Sequence, residues 1–288
     1  MWKKGSVVCT VFILLAFAFG CKKQTQAKGI DLDIAFADEE LSDNLMTDVT
    51  LTWKTSADFI TMNQDLQIYM HFWHKKNLLF QHNFVPEPPT TQWAASQEYV
   101  QTQRIYIPQF IDEFDPDFKG EDTLELSVGF DSPYDRSGKA MQEILRKKLT
   151  VAPPPLDTPE IIYEEGWYNL EINPEAYLKQ WRWTGKEARC IIDNPHRDAL
   201  LVIKGGVNLQ VLENQTIIFK INDLVLDEFL PEESYFEKTY TIKKEMLGEG
   251  EEFYLSFATD KVFIPANIIP NSGDNRELGF QVSFLYFR

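Results

Sequence analysis

Cysteine is scarce in this chain of 288 residues: Cys9, Cys21 and Cys190 are the whole set. The first two fall in the N-terminal segment considered below. That leaves Cys190 alone in the run RCIID, where it reads as a small core residue. No intrachain disulfide and no cysteine metal site is available. Histidine is also sparse, at His71, His74, His82 and His196. His71 and His74 are three apart on a predicted strand, so they point to opposite faces and cannot share an ion. No metal and no cofactor is therefore expected. Basic residues are outnumbered, 28 against 44 acids, for a net charge of −16. Such a balance argues against nucleic acid, whose phosphates must be met by Lys and Arg. There is no G-x-S-x-G, no P-loop and no G-x-G-x-x-G, and Gly205-Gly206 lacks the following helix that phosphate binding needs. The EF-hand pattern of acids is missing too. The many carboxylates, as in Asp38-Glu39-Glu40 and Glu232-Glu233, flank turns and read as solvated loops.

Long apolar runs are limited to one. Lys3 and Lys4 precede VVCTVFILLAFAF (7–19), and Gly20-Cys21 follow. A positive start, a short apolar core and a small residue make the plan of a secretory signal. The run is shorter than the roughly 20 residues a transmembrane helix needs. AFGC (18–21) resembles a bacterial lipobox, and the resemblance implies a lipid on Cys21 as the first residue of the mature chain. Residues 21–29 then read as a tether. Lys22 and Lys23 carry no acidic residue of the kind that retains some lipoproteins at the inner membrane. The family-based expectation is the outer membrane of a Gram-negative bacterium.

Strong helical periodicity is nearly absent as well. Alternating runs such as VTLTWKT (49–55), LQIYMHFW (66–73), TLELSVGF (123–130), ALLVIKG (199–205) and GFQVSFLYF (279–287) fill the chain instead. APPPLDTP (152–159) packs four prolines into eight residues and reads as a stiff linker. The expected class is all-β, with two tandem β-sandwich domains after a signal peptide at 1–20. Residues 30–151 are predicted to be immunoglobulin- or fibronectin-like and residues 161–288 jelly-roll-like, joined by a linker at 152–160. Asn222-Asp223 between TIIFKI and VLDEF predicts a hairpin turn. Short helices are expected at 137–145, 174–180 and 243–248, the last stopped by Gly248.

Aromatic residues supply the site candidates. In LQIYMHFW, alternation puts Leu66, Ile68, Met70 and Phe72 in the core. Tyr69, His71 and Trp73 fall on the other face, a surface that Trp93 is placed to join. In the second half, Trp181 and Trp183 share one face, with Arg182 turned away. G-W-Y-x-x-E (166–171), W-R-W-T-x-x-x-A (181–188), VFIPA (262–266) and D-N-R-E-L-G (274–279) resemble β-sandwich segments attached to bacterial membrane glycosyltransferases and related envelope proteins. The resemblance implies a sandwich supporting recognition of an envelope glycan or partner, and assigns no catalytic residue. Asp274 and Asn275 suit a turn before the last strand, and Arg276 is expected to meet Glu171, a brace rather than an active site. On that strand Phe280, Val282, Phe284 and Tyr286 are predicted to face the core. The functional expectation is a lipid-anchored, non-catalytic envelope protein that binds or assembles a protein partner or an envelope polysaccharide. The alternatives are a carbohydrate-active enzyme with paired carboxylates and a purely structural component.

Overall fold

The computed structural model describes residues 28–134, 141–173 and 176–288. Residues 1–27, which hold the expected signal segment, Cys21 and most of the expected tether, lie outside the described residues. The chain divides between Pro154 and Pro155 into two compact units, each with its own apolar core. Among the described residues no helix is long and apolar enough to cross a membrane.

The first unit contains β1 (Ile30–Phe36), β2 (Leu41–Ser42), β3 (Leu45–Thr55), β4 (Gln67–His74), β5 (Asn77–Phe84), β6 (Glu98–Ile107), β7 (Asp122–Asp131) and β8 (Gln142–Ala152). One sheet runs β1-β3-β6, the other β2-β8-β7-β4-β5. All neighbours are antiparallel except β2 and β8. Division of the strands in this order is that of an immunoglobulin-type sandwich, with A-B-E facing G-F-C-C′ and no strand D. Where antibody domains tie strands B and F by a disulfide, this unit crosses them with rings. Trp53 on β3 meets Phe130 on β7 at 4.8 Å, and Trp93 lies 5.8 Å from Trp53 and 5.7 Å from Phe130. Burial of three such rings supplies the apolar area that a chain without disulfides needs.

Residues 137–140 of the expected helix at 137–145 lie outside the described residues, and residues 142–145 are strand. They extend β8 along β7, where pairing from Asp122 to Phe130 overrides local helix preference.

The second unit contains β9 (Ile161–Tyr163), β10 (Glu171–Asn173), β11 (Ala176–Trp183), β12 (Glu187–Asp193), β13 (Ala199–Gly206), β14 (Ile217–Ile221), β15 (Leu224–Phe229), β16 (Tyr235–Ile242), the short helix α1 (Lys244–Leu247), β17 (Glu252–Thr259) and β18 (Gln281–Phe287). Its sheets run β10-β11-β18-β13-β16 and β15-β14-β17-β12-β9. Setting aside β9 and β10, the eight remaining strands follow the order 1-8-3-6 against 5-4-7-2, which is a jelly roll. Phe219, Phe253, Phe257 and Phe280 fill the space between the sheets. Cys190 is fully buried there, and burial pushes its thiol up to about 12, so it is no nucleophile.

Asn222 takes the left-handed turn expected of it (φ 51°) between β14 and β15, and Gly248 (φ 81°) ends α1. Residues 174 and 175 of the helix expected at 174–180 lie outside the described residues, and from Ala176 onward the chain is strand, with Ala176 and Gln180 paired to β10. The last strand corrects its predicted faces. A bulge at Ser283 shifts the register between Lys204↔Phe284 and Gly205↔Val282, so parity flips. Phe280, Val282, Leu285 and Phe287 pack on the core. Phe284 and Tyr286 fall on the other side and stack on each other at 6.3 Å, with Tyr286 still buried and the Lys204 ammonium over the Phe284 ring.

Candidate functional site

The outer face of the sheet that carries β18 holds a groove. From β11 come Lys179 and Trp181, from β18 Gln281 and Ser283, from β13 Gly206, and from the start of β16 Tyr235. They line a hollow of about 470 Å³. Trp181 and Tyr235 stand on strands separated by β18 and β13, roughly 14 Å apart at ordinary strand spacing. The floor between them is low because Gly206 has no side chain. Its neighbour Gly205 faces inward, where a Cβ would overlap the Phe236 ring and the Gln281 carbonyl. The pair noted in the sequence thus serves packing on one face and an open floor on the other. The indole N–H of Trp181 has no acceptor among the described residues, so packing rather than a hydrogen bond holds the ring.

Gln281 also borders a second hollow of about 410 Å³, which includes Trp183, Asn208, Pro265 and Arg276. Trp183 is half-buried, edge-on to Phe263 at 5.7 Å, in a small cluster with Leu212 and Leu278. Arg182 points the other way and lies over the Tyr163 ring at 4.6 Å.

The Arg276 network fixes this end of the groove. Nη1 of Arg276 donates to Glu171 Oε1 at 2.8 Å, and Nη2 donates to Asp274 Oδ2 at 2.7 Å. The Arg276 backbone N–H donates to Asp274 Oδ1 at 3.0 Å, closing a local turn. The guanidinium also lies 5.2 Å from the centre of the Tyr168 ring, and Tyr168 N–H donates to the Trp183 carbonyl at 2.9 Å. The loop before β18, the edge strand β10 and the strand of the tryptophans are therefore tied through one side chain. The Arg276 hydrogen bonds hold the Asp274 carboxyl below its ordinary range.

In the first unit the expected aromatic surface is only partly open. Tyr69 is 2% exposed and Trp93 is fully buried, so neither belongs to an accessible strip. Tyr69 packs on His71 at 4.6 Å. Trp93 stacks on Tyr99 at 4.6 Å, and its indole N–H donates to the Pro88 carbonyl at 2.9 Å. A flat indole whose N–H finds a backbone acceptor is a stable core residue, and the loop EPPTTQW folds it inward. His71 and Trp73 are half-buried, 6.2 Å apart and edge-on. Burial pushes the His71 imidazole down, toward its neutral form. Two of the other histidines have side-chain partners: His74 Nε2 lies 2.8 Å from Asp122, and His82 Nε2 lies 3.1 Å from Gln103. Among the described residues no three of His, Cys, Asp and Glu converge as a metal site requires. Cys21 lies outside the described residues.

Lys179, Gly206, Tyr235 and Gln281 were not singled out as site residues by the sequence. Each sits on a strand whose neighbours come from distant parts of the chain, so only the sheet order brings them together.

No family model and no curated protein matches this chain. Among solved structures it is similar to the β-glucuronidase of Bacteroides uniformis, at 9% identity and a TM-score of 0.29, over 90% of this chain and 30% of that one. It is similar also to latent PorU of Porphyromonas gingivalis, at 11% identity and 0.24, over 90% and 20%. A third is the collagen adhesin of S. aureus, at 8% and 0.19, over 91% and 95%. The chain spans under a third of the length of the glucuronidase. At these identities and scores the likenesses carry no argument about activity, and the sandwich assignment stands on the strand order.

Proposed function

We propose that the protein is a non-catalytic binding module of the cell envelope, held to the membrane by a lipid on Cys21, and that its second unit binds a polysaccharide. The observation that carries this reading is the groove itself. An indole and a phenol flank a floor that has no side chain at Gly206, and Lys179, Gln281 and Ser283 line it with polar groups. Sugar rings present apolar faces to aromatic rings and hydroxyls to polar groups, so this combination suits a glycan. The first hollow offers no carboxylate. In the second, Glu171 and Asp274 both bond Arg276. Glycosidase chemistry needs an acid of raised pKa beside a second carboxylate, and Asp274 is displaced the opposite way.

A glycan array and affinity electrophoresis of the full chain test the reading, with Trp181→Ala beside the wild type. Removing that indole strands no hydrogen-bond partner, so the folded state should survive and binding should be lost. An array on which nothing is retained, or an unchanged Trp181→Ala variant, overturns it. Metabolic labelling with a palmitate analogue tests the anchor. Label should enter the wild type and be absent from Cys21→Ser.

A further inference from the structure

We infer that the groove takes an acidic polysaccharide and that Lys179 reads its charge; this rests on the polysaccharide reading of the same site. The chain has 44 acids against 28 bases, yet no acid lines the first hollow. The cations on this side of the sheet differ in how they are committed. Lys204 is 3.0 Å from Glu237, and Arg276 is held by Glu171 and Asp274. Lys179 is exposed and makes no ion pair among the described residues. It lies two residues from Trp181 on β11 and lines the same hollow, so the two Cα atoms are at most about 7 Å apart. A sugar unit stacked on Trp181 thus places its own substituents, or those of the next unit, within reach of the ammonium.

An ammonium is a compact point charge without a fixed fork, so it accepts carboxylate, sulfate or phosphate alike. What the groove selects is an anionic substituent on a stacked sugar chain. The net charge of −16 opposes a polyanion at long range. At 0.15 M salt the screening length is about 8 Å, which suppresses that repulsion and spares a contact at Lys179.

The test is affinity electrophoresis of the full chain at 0.15 M salt through gels containing polygalacturonate, dextran sulfate or neutral galactan. Wild type, Lys179→Gln, Lys179→Arg and Trp181→Ala are run together. One or both acidic polymers should retard the wild type more than galactan does, and the two arms separate carboxylate from sulfate. Lys179→Gln should weaken acidic binding about three- to tenfold, Lys179→Arg should restore it, and galactan retention should not respond to either. Equal retention of acidic and neutral chains, or acidic retention indifferent to Lys179→Gln, overturns the inference. If Trp181→Ala still abolishes retention in that case, the polysaccharide reading stands without it. A wild type retarded by no polymer or array glycan overturns both.

Discussion

Single residues carry the groove, and they divide into those that shape it and those that hold it. Gly205 and Gly206 are adjacent, yet opposite outcomes are expected of them. Alanine at Gly205 meets the Phe236 ring and a backbone carbonyl, and should lower stability by about 1–3 kcal/mol in urea unfolding. Alanine at Gly206 comes to 3.2 Å from the Ser234 carbonyl and 3.4 Å from Gln281 Oε1. It should cost little stability and instead raise the groove floor, weakening glycan retention. Arg276 belongs to the residues that hold. Its bonds keep Asp274 below the ordinary carboxyl value of 3.8. A depressed carboxyl contributes stability that is fully present above that value and lost as pH falls through the lower, folded-state one. The stability difference between wild type and Asp274→Asn should therefore be constant near neutrality and shrink below about pH 4, as read from urea midpoints along a pH series. The Arg276–Glu171 contact was legible because DNRELG left an arginine in need of a carboxylate beside a strand bearing one. The burial of Trp93 was not, since a tryptophan in a proline-rich loop reads the same whether the loop folds inward or stands clear.

At the scale of elements, alternation located the strands but not where it breaks. The faces of β18 were predicted from a period of two, and the bulge at Ser283 reverses them from Phe284 onward. Inserting one residue between Ser283 and Phe284 should reverse the parity again and turn Leu285 and Phe287 out of the core. The second unit should then melt well below the wild type, or fail to fold, by near-ultraviolet circular dichroism. Two expected helices became strand for a related reason. MQEIL and AYLKQ tolerate a helix locally, but each has a partner strand waiting, and ladder hydrogen bonds with cross-strand packing outweigh a propensity of tenths of a kcal/mol per residue. The hairpin at Asn222 was legible because its signal is local: a residue that accepts positive φ between two alternating runs.

For the whole molecule, the linker prolines and the count of alternating runs made two sandwiches legible, whereas the identity of neighbouring strands was not. That order decides the groove, since Lys179 and Tyr235 meet one hollow only because β18 and β13 lie between their strands. Each unit has a separate core, so damage should stay local. Trp93→Ala, which empties a fully buried indole site, should cost the first unit about 3–5 kcal/mol. Calorimetry should show one transition moved down and the other unmoved. The jelly roll also has a temporal side. In chain order β18 is the final strand of its unit, yet in space it sits inside the sheet, between β11 and β13. Until it is synthesised and inserted, the strand of the tryptophans and the strand of the glycines have no partner in common, and the bonds closing them span most of the unit. Such long-range pairing is slow to form. Half-made chains thus lack the groove altogether, and the hollow is acquired only once the unit is complete.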